Sequence, residues 1–119
     1  MPLQFAPGDN LVFQLESGYG LLRVIAVDNQ ETNAPVWHIV VFEELFPDVE
    51  SAEAALATPG ALHPRRDHLA LTDRALEKTP AARLSNTPVA ESELGAYRAW
   101  AEKNATPSDL SVLLSLGLR

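Results

Sequence analysis

Apolar and polar positions alternate twice near the start of the chain, either side of a glycine-rich tetrapeptide. Leu11, Phe13 and Leu15 alternate with Val12 and Gln14; Ser17-Gly18-Tyr19-Gly20 follows, then a second alternating run over residues 21–27. A period of two is the mark of a strand, and a short Gly-rich interruption between two such runs is the mark of a hairpin. Pro7-Gly8-Asp9 opens the hairpin as a turn. Residues 28–35 are polar and aperiodic and read as an exposed loop. Val36-Trp37-His38-Ile39-Val40-Val41-Phe42 is rich in β-branched and aromatic residues and almost continuously apolar. It reads as a central strand covered on both faces.

Phe46-Pro47-Asp48 interrupts that strand. Asp48 is then placed to cap a short helix over 49–57, whose Glu50 and Glu53 suit the positive end of the helix dipole. Thr58-Pro59-Gly60 ends it, and residues 61–67 read as loop. Residues 68–72 alternate again as a fourth strand, and Thr72 or Asp73 starts one helical turn through Glu77. Residues 81–84 suit a short closing strand, with 79–86 open between strand and coil. Thr87-Pro88 is a helix start, and Leu94, Tyr97, Trp100 and Ala101 recur at helical spacing behind it. A second start at Thr106-Pro107, with Asp109 two residues on, leads Leu110, Leu113 and Leu114 towards Gly117.

These elements describe an α+β chain. A small, strongly bent antiparallel β-barrel of the SH3-like kind, with four to five strands, would occupy about residues 5–86. Two C-terminal helices over about 87–118 would cover one end or face. A length of 119 residues predicts a single domain, 1–119, large enough to bury a core without metal or disulfide support. The absence of cysteine excludes thiol catalysis, thiolate metal sites and disulfides. The N-terminal residues show no basic and apolar leader pattern, and Ile39-Val40-Val41-Phe42 is far too short to span a bilayer. A cytoplasmic location is the expectation.

Charge changes the picture through its distribution. Residues 1–60 hold one base, Arg23, against nine acids, a net of −8; residues 61–119 hold eight bases and seven acids, a net of +1. The strand-rich half is therefore an anionic body that repels phosphate backbones and anionic lipid and attracts cations. Nucleic acid and membrane are disfavoured as partners, and a basic protein is favoured.

Candidate chemistry is sparse. His63 and His68 flank Asp67, but Pro64 between them denies a shared helix face, and a zinc site needs three or four converging ligands. Glu43, Glu44, Asp48, Glu50 and Glu53 lack the alternating acids and central glycine of a calcium loop. They read as a solvated acidic rim suited to partner binding. No serine lies in a nucleophile elbow, and Gly18-Tyr19-Gly20 is a hairpin turn rather than a phosphate loop. Neither a metal nor a cofactor is expected, and no catalytic residue is assigned. His38 is either a satisfied core histidine or the centre of a small polar ligand pocket. Tyr19 is either an exposed aromatic contact point beside the acidic rim or a plug folded over the barrel end. Trp37, Tyr97 and Trp100 are expected in the core, the last two docking the helix onto the sheet.

Pro7-Gly8-Asp9, Leu11-Val12-Phe13-Gln14-Leu15, Gly18-Tyr19-Gly20 and Arg23-Val24, with Leu69-Ala70-Leu71-Thr72-Asp73 further on, carry a resemblance. Together they resemble the family numbered twenty-six among the immunity proteins of bacterial polymorphic toxin systems. Gln14 stands where that family tends to have proline, and its tryptophan near position 79 is missing. The resemblance implies an SH3-like domain without catalytic residues that neutralises a cognate toxin. An acidic surface presented to a basic cleft would serve that purpose. Two other readings stand beside it: a small enzyme or ligand-binding barrel centred on His38, and a structural subunit that self-associates through Leu110, Leu113 and Leu114.

Overall fold

A computed structural model describes residues 5–28, 34–58, 60–103 and 106–116, with residues 115 and 116 described in backbone only. Five strands form one antiparallel sheet: β1 (Asp9–Leu15), β2 (Gly18–Asp28), β3 (Val36–Phe46), β4 (Pro64–Thr72) and β5 (Ala81–Asn86). Their order is β4-β3-β2-β1-β5, so β4 and β5 are the free edges and the sheet is not closed into a ring. The expected α+β class is present; the ladder of a closed barrel is not. The strands run longer than the alternation indicated, because β3 continues through Phe46 and β4 begins at Pro64.

The first hairpin turns on Glu16 and Ser17, with Leu15 paired to Gly18. Gly18 has a φ of +149°, and a Cβ there would lie 2.5 Å from the Phe46 carbonyl oxygen, so the turn exit requires glycine. Tyr19 is thus a strand residue, paired with Gln14 and Phe46, and not the tip of the turn. The register slips between Gly20 and Leu22, Val24 and Ala26, Ile39 and Val41, and Val41 and Phe42. Extra residues of this kind bend a strand. The long β2 and β3 can therefore serve separate packing layers along their length.

One face of the sheet carries Leu11, Phe13, Leu22, Val24, Trp37, Ile39, Val41 and Leu71 in a continuous buried core. α2 (Asp73–Glu77) closes it with Ala75 and Leu76, and α4 (Val112–Leu116) adds Val112. The expected helical turn after β4 is present, with the Thr72 hydroxyl accepting from the Ala75 N–H at 3.2 Å. Trp37 is anchored there, its indole N–H donating to Asp73 at 2.9 Å. On the opposite face, Val12 and Leu21 pack against Ala52 of α1 (Val49–Leu56), bordered by Tyr19, Phe42 and Phe46. Asp48 caps α1 as its sequence position predicted, accepting from the Ser51 N–H at 2.7 Å. The rest of this second face sets polar groups beside apolar Val40. It carries Arg23 and His38 beneath a 3₁₀ turn (Glu91–Leu94) and α3 (Gly95–Glu102). β3 is accordingly covered on both sides, which accounts for its unbroken apolar run.

Both C-terminal helices start later than their sequence signals, for the same physical reason. Residues 87–90 are extended because their backbone is already committed: the Thr87 N–H donates to the Gly8 carbonyl, and the Thr87 and Pro88 carbonyls accept from Arg23. Residues 106–111 are non-helical because Ser108 bridges β4, its N–H donating to the Ala70 carbonyl and its carbonyl accepting from Thr72. The second helix begins only at Val112, behind Ser111, whose hydroxyl accepts from the Leu114 N–H. Gly117, read as its end, lies outside the described residues, as does the greater part of the 28–35 connector.

Candidate functional site

The predicted acidic residues lie together along the end of β3 and across α1. Glu43, Asp48, Glu50 and Glu53 are exposed, and Glu44 is half-buried. Glu44 is engaged by His63, whose Nδ1 lies 2.8 Å from one carboxylate oxygen and whose backbone N–H donates to the other at 2.7 Å. That contact raises the His63 pKa. Glu43, Glu44 and His63 bring ligand atoms within 4.8 Å of one another, the grouping here that could hold a cation. Tyr19 is half-buried against the α1 cluster, with its cross-strand partner Phe46 next to the acidic stretch.

Two further acids of the N-terminal half, Asp9 and Asp28, are occupied internally, whereas Glu16 is exposed. Asp9 is fully buried and accepts from Ala6 and Asn86 at 2.8 Å each. Asp28 is bound by His38 and Tyr97. Arg23, the half's sole base, is buried and does not reach the surface. Its Nε donates to Glu93 at 2.7 Å, its Nη1 to the Gly8 carbonyl and Asn10, and its Nη2 to the Thr87 and Pro88 carbonyls and again to Glu93. This guanidinium clamps residues 87–93 to the sheet, and the bond from it holds the Glu93 carboxyl below its usual range. Arg23 sits between Leu22 and Val24 in an apolar run, and a lone charge among core residues is the signal that should have marked it as structural.

His38 is fully buried at the centre of a polar chain. Its Nε2 lies 2.9 Å from Asp28, its Nδ1 lies 2.9 Å from Nε2 of His68, and the Tyr97 hydroxyl donates to the second Asp28 oxygen at 2.6 Å. An ionised carboxylate only accepts. This assigns the proton to Nε2 of His38, leaves its Nδ1 as acceptor, and makes His68 the donor through Nε2. Tyr97 and Trp100 dock α3 as expected, closing over the ring with centroids at 4.4 and 4.9 Å, but they are half-buried rather than core residues. Burial depresses the His38 pKa despite Asp28, and burial followed by repulsion from His38 depresses that of His68. Tyr97 is raised by its bond to Asp28 and by burial.

A histidine oriented by a carboxylate has the form that acid–base chemistry uses. Both ring nitrogens of His38 are engaged, however, and the aromatic rings of Tyr97 and Trp100 pack against it. His38 did acquire partners that the sequence did not reveal, because Asp28, His68 and Tyr97 come from three separate segments. His63 and His68 do not converge on one site: His63 turns to Glu44 and His68 to His38. No protein-family model, curated protein or solved structure matches this chain.

Proposed function

We propose that this chain is a non-enzymatic protein-binding module of the cytoplasm that presents its acidic surface to a basic partner. The observation that carries this reading is the fate of charge in the N-terminal half. Its lone base, Arg23, is neutralised internally by Glu93, whereas Glu16, Glu43, Asp48, Glu50 and Glu53 are exposed and no ion pair reaches them among the described residues. Such a face speeds encounter with a basic surface and sets specificity more than raw affinity. Exposed Leu45, at 47 %, and half-buried Phe46 supply apolar contact area within the acidic stretch.

Neutralisation of a cognate bacterial toxin is the most specific form of this reading, and a bent SH3-like sheet is the scaffold it would use. Tagged protein incubated with lysate of its own cells at low and moderate salt tests it. A stoichiometric basic partner released as salt rises is expected, and toxin activity in that partner would establish immunity. A captured set that is acidic, or indifferent to salt, would overturn the reading.

A second reading, self-association, is favoured by one observation: Leu110 and Leu114 are 55 % and 62 % exposed, while Leu113 packs on the core. Light scattering after size exclusion tests it, with Leu114→Asp expected to return a dimer to monomer.

A further inference from the structure

The polar half of the second sheet face contains a cavity of about 310 Å³ bordered by β2, β3, β4 and the 3₁₀ turn. Its apolar wall is Val40, Phe42 and Pro64, and its polar wall includes Asp67, Ser92 and Glu93, with Arg23 beside them. The volume lies at the small end of ligand pockets, roughly 300–1,000 Å³, and suits one long side chain better than a cofactor.

Asp67 reaches this cavity through a bulge. Ile39 pairs with Leu69 and Val41 with Arg66, so Val40 is opposed by both Asp67 and His68. Two residues against one turn together towards the same side. Arg66, opposite Val41, belongs to the other face.

The charge of the guest follows from counting donors. Arg23 has five N–H groups, and all are directed to Glu93, Asn10 or the carbonyls of Gly8, Thr87 and Pro88. None is left for an anion, and Glu93 cancels its charge. Asp67 is different. It is exposed, and among the described residues none donates a hydrogen bond to it or pairs with it. The cavity therefore carries one carboxylate without an ion-pair partner among the described residues, with Phe42 also in its lining. A planar guanidinium can make a forked pair of bonds to a carboxylate and lie flat on an aromatic ring; an ammonium offers a single point charge to each and matches neither geometry.

We propose that this cavity is a socket for one arginine side chain of the basic partner. The proposal rests on the reading of the chain as an acidic binding module and supplies that module's anchor. Phe42 lines the socket and also borders the α1 cluster, whose helix carries Glu50 and Glu53, so socket and acidic rim adjoin on one face.

The test is an amide-resolved NMR titration of the full chain with N-acetyl-arginine methylamide, alongside its citrulline, lysine and glutamate counterparts. Saturable shifts confined to the amides around Phe42, Asp67 and Ser92 are expected, with a dissociation constant on the order of millimolar for a lone side chain. The citrulline analogue should bind about tenfold more weakly, the lysine analogue between the two, and Asp67→Asn should weaken arginine about tenfold with the spectrum otherwise preserved. Preference for the glutamate probe, indifference to Asp67→Asn, or the absence of saturable shifts would overturn the socket. Its failure is separable from failure of the module. A partner lost with Glu50→Lys and Glu53→Lys but kept by Asp67→Asn removes the socket alone. Arginine binding without any basic protein partner removes the module.

Discussion

Acidification should loosen this fold well above the pH at which its carboxylates protonate, and the histidine chain sets the size of the effect. His38 and His68 are both held below the ordinary histidine value of 6.5. The folded chain therefore refuses protons that the unfolded chain accepts. Their contribution to stability is complete above pH 6.5, declines as pH falls from there, and levels off below the folded pKa values. Each refused proton costs about 1.4 kcal/mol per pH unit within that window, so two give a limiting slope of about 2.7. A domain holding roughly 5–15 kcal/mol in total would feel this as a large fraction. Structure gives the loss a location. A second proton on His38 must sit on Nδ1, facing the His68 N–H, and two donors 2.9 Å apart cannot share a hydrogen bond.

The other groups that face this pair are Asp28 from β2, Asp67 beside His68 on β4, and Tyr97 from α3, with Arg98 next along the helix. Asp28 is the main counterweight, and it is outweighed by burial. His63 acts in the opposite sense, since its folded pKa is raised and its contribution is lost as pH rises through it. With a side chain 65 % exposed it adds little. Glu93 enters only at lower pH, below the carboxylate value of 4.5. Urea unfolding followed by Trp37 and Trp100 fluorescence at pH near 7.5, 6.5 and 5.5 measures the slope directly. His68→Gln, whose amide can still donate to His38, should remove about half of it, and His63→Gln should leave it intact. Stability that is flat or rising between pH 6.5 and 5.5 at constant m-value would refute the reasoning.

Three further outcomes follow from particular contacts. Arg23→Met leaves the half-buried Glu93 and several carbonyls without a donor, and should cost about 3–5 kcal/mol while exposing amides 87–93 to hydrogen exchange. Asp48→Ala removes the cap of α1 and should cost about 1 kcal/mol, read as faster exchange confined to 49–56. Gly20→Ala places a Cβ 2.6 Å from the Phe13 ring, and the overpacking should cost roughly 1–3 kcal/mol by thermal or urea denaturation.

Local rules written in neighbouring residues were readable from the chain. The hairpin of β1 and β2, the buried β3, the Asp48 cap and the turn after Thr72 all arise within a few positions, where alternation and capping chemistry act. The late helix starts were not readable, because Pro88 and Pro107 are sound local signals overruled by distant backbone partners, Arg23 and β4. The same holds for the histidine chain. His38 looked solitary because Asp28, His68 and Tyr97 lie 10, 30 and 59 positions away, and only the sheet register and the docking of α3 assemble them. Tyr19 was misplaced by two residues because Glu16-Ser17, with no glycine of their own, make the turn and Gly18 supplies its exit. The exposure of Glu43, Asp48, Glu50 and Glu53 was legible, whereas the pairing of half-buried Glu44 with His63, 19 positions away, was not.

The central claim is that this acidic face recognises a basic partner. The most direct measurement is quantitative capture from cell lysate by the wild-type chain and by a Glu43→Lys, Glu50→Lys, Glu53→Lys variant, in parallel at low and moderate salt. All three glutamates are exposed, so the variant should retain its fold within about 1 kcal/mol. The account predicts a basic protein bound stoichiometrically by the wild type at low salt, depleted as salt rises, and absent from the folded variant. Equal capture by both chains, undiminished by salt, would contradict it.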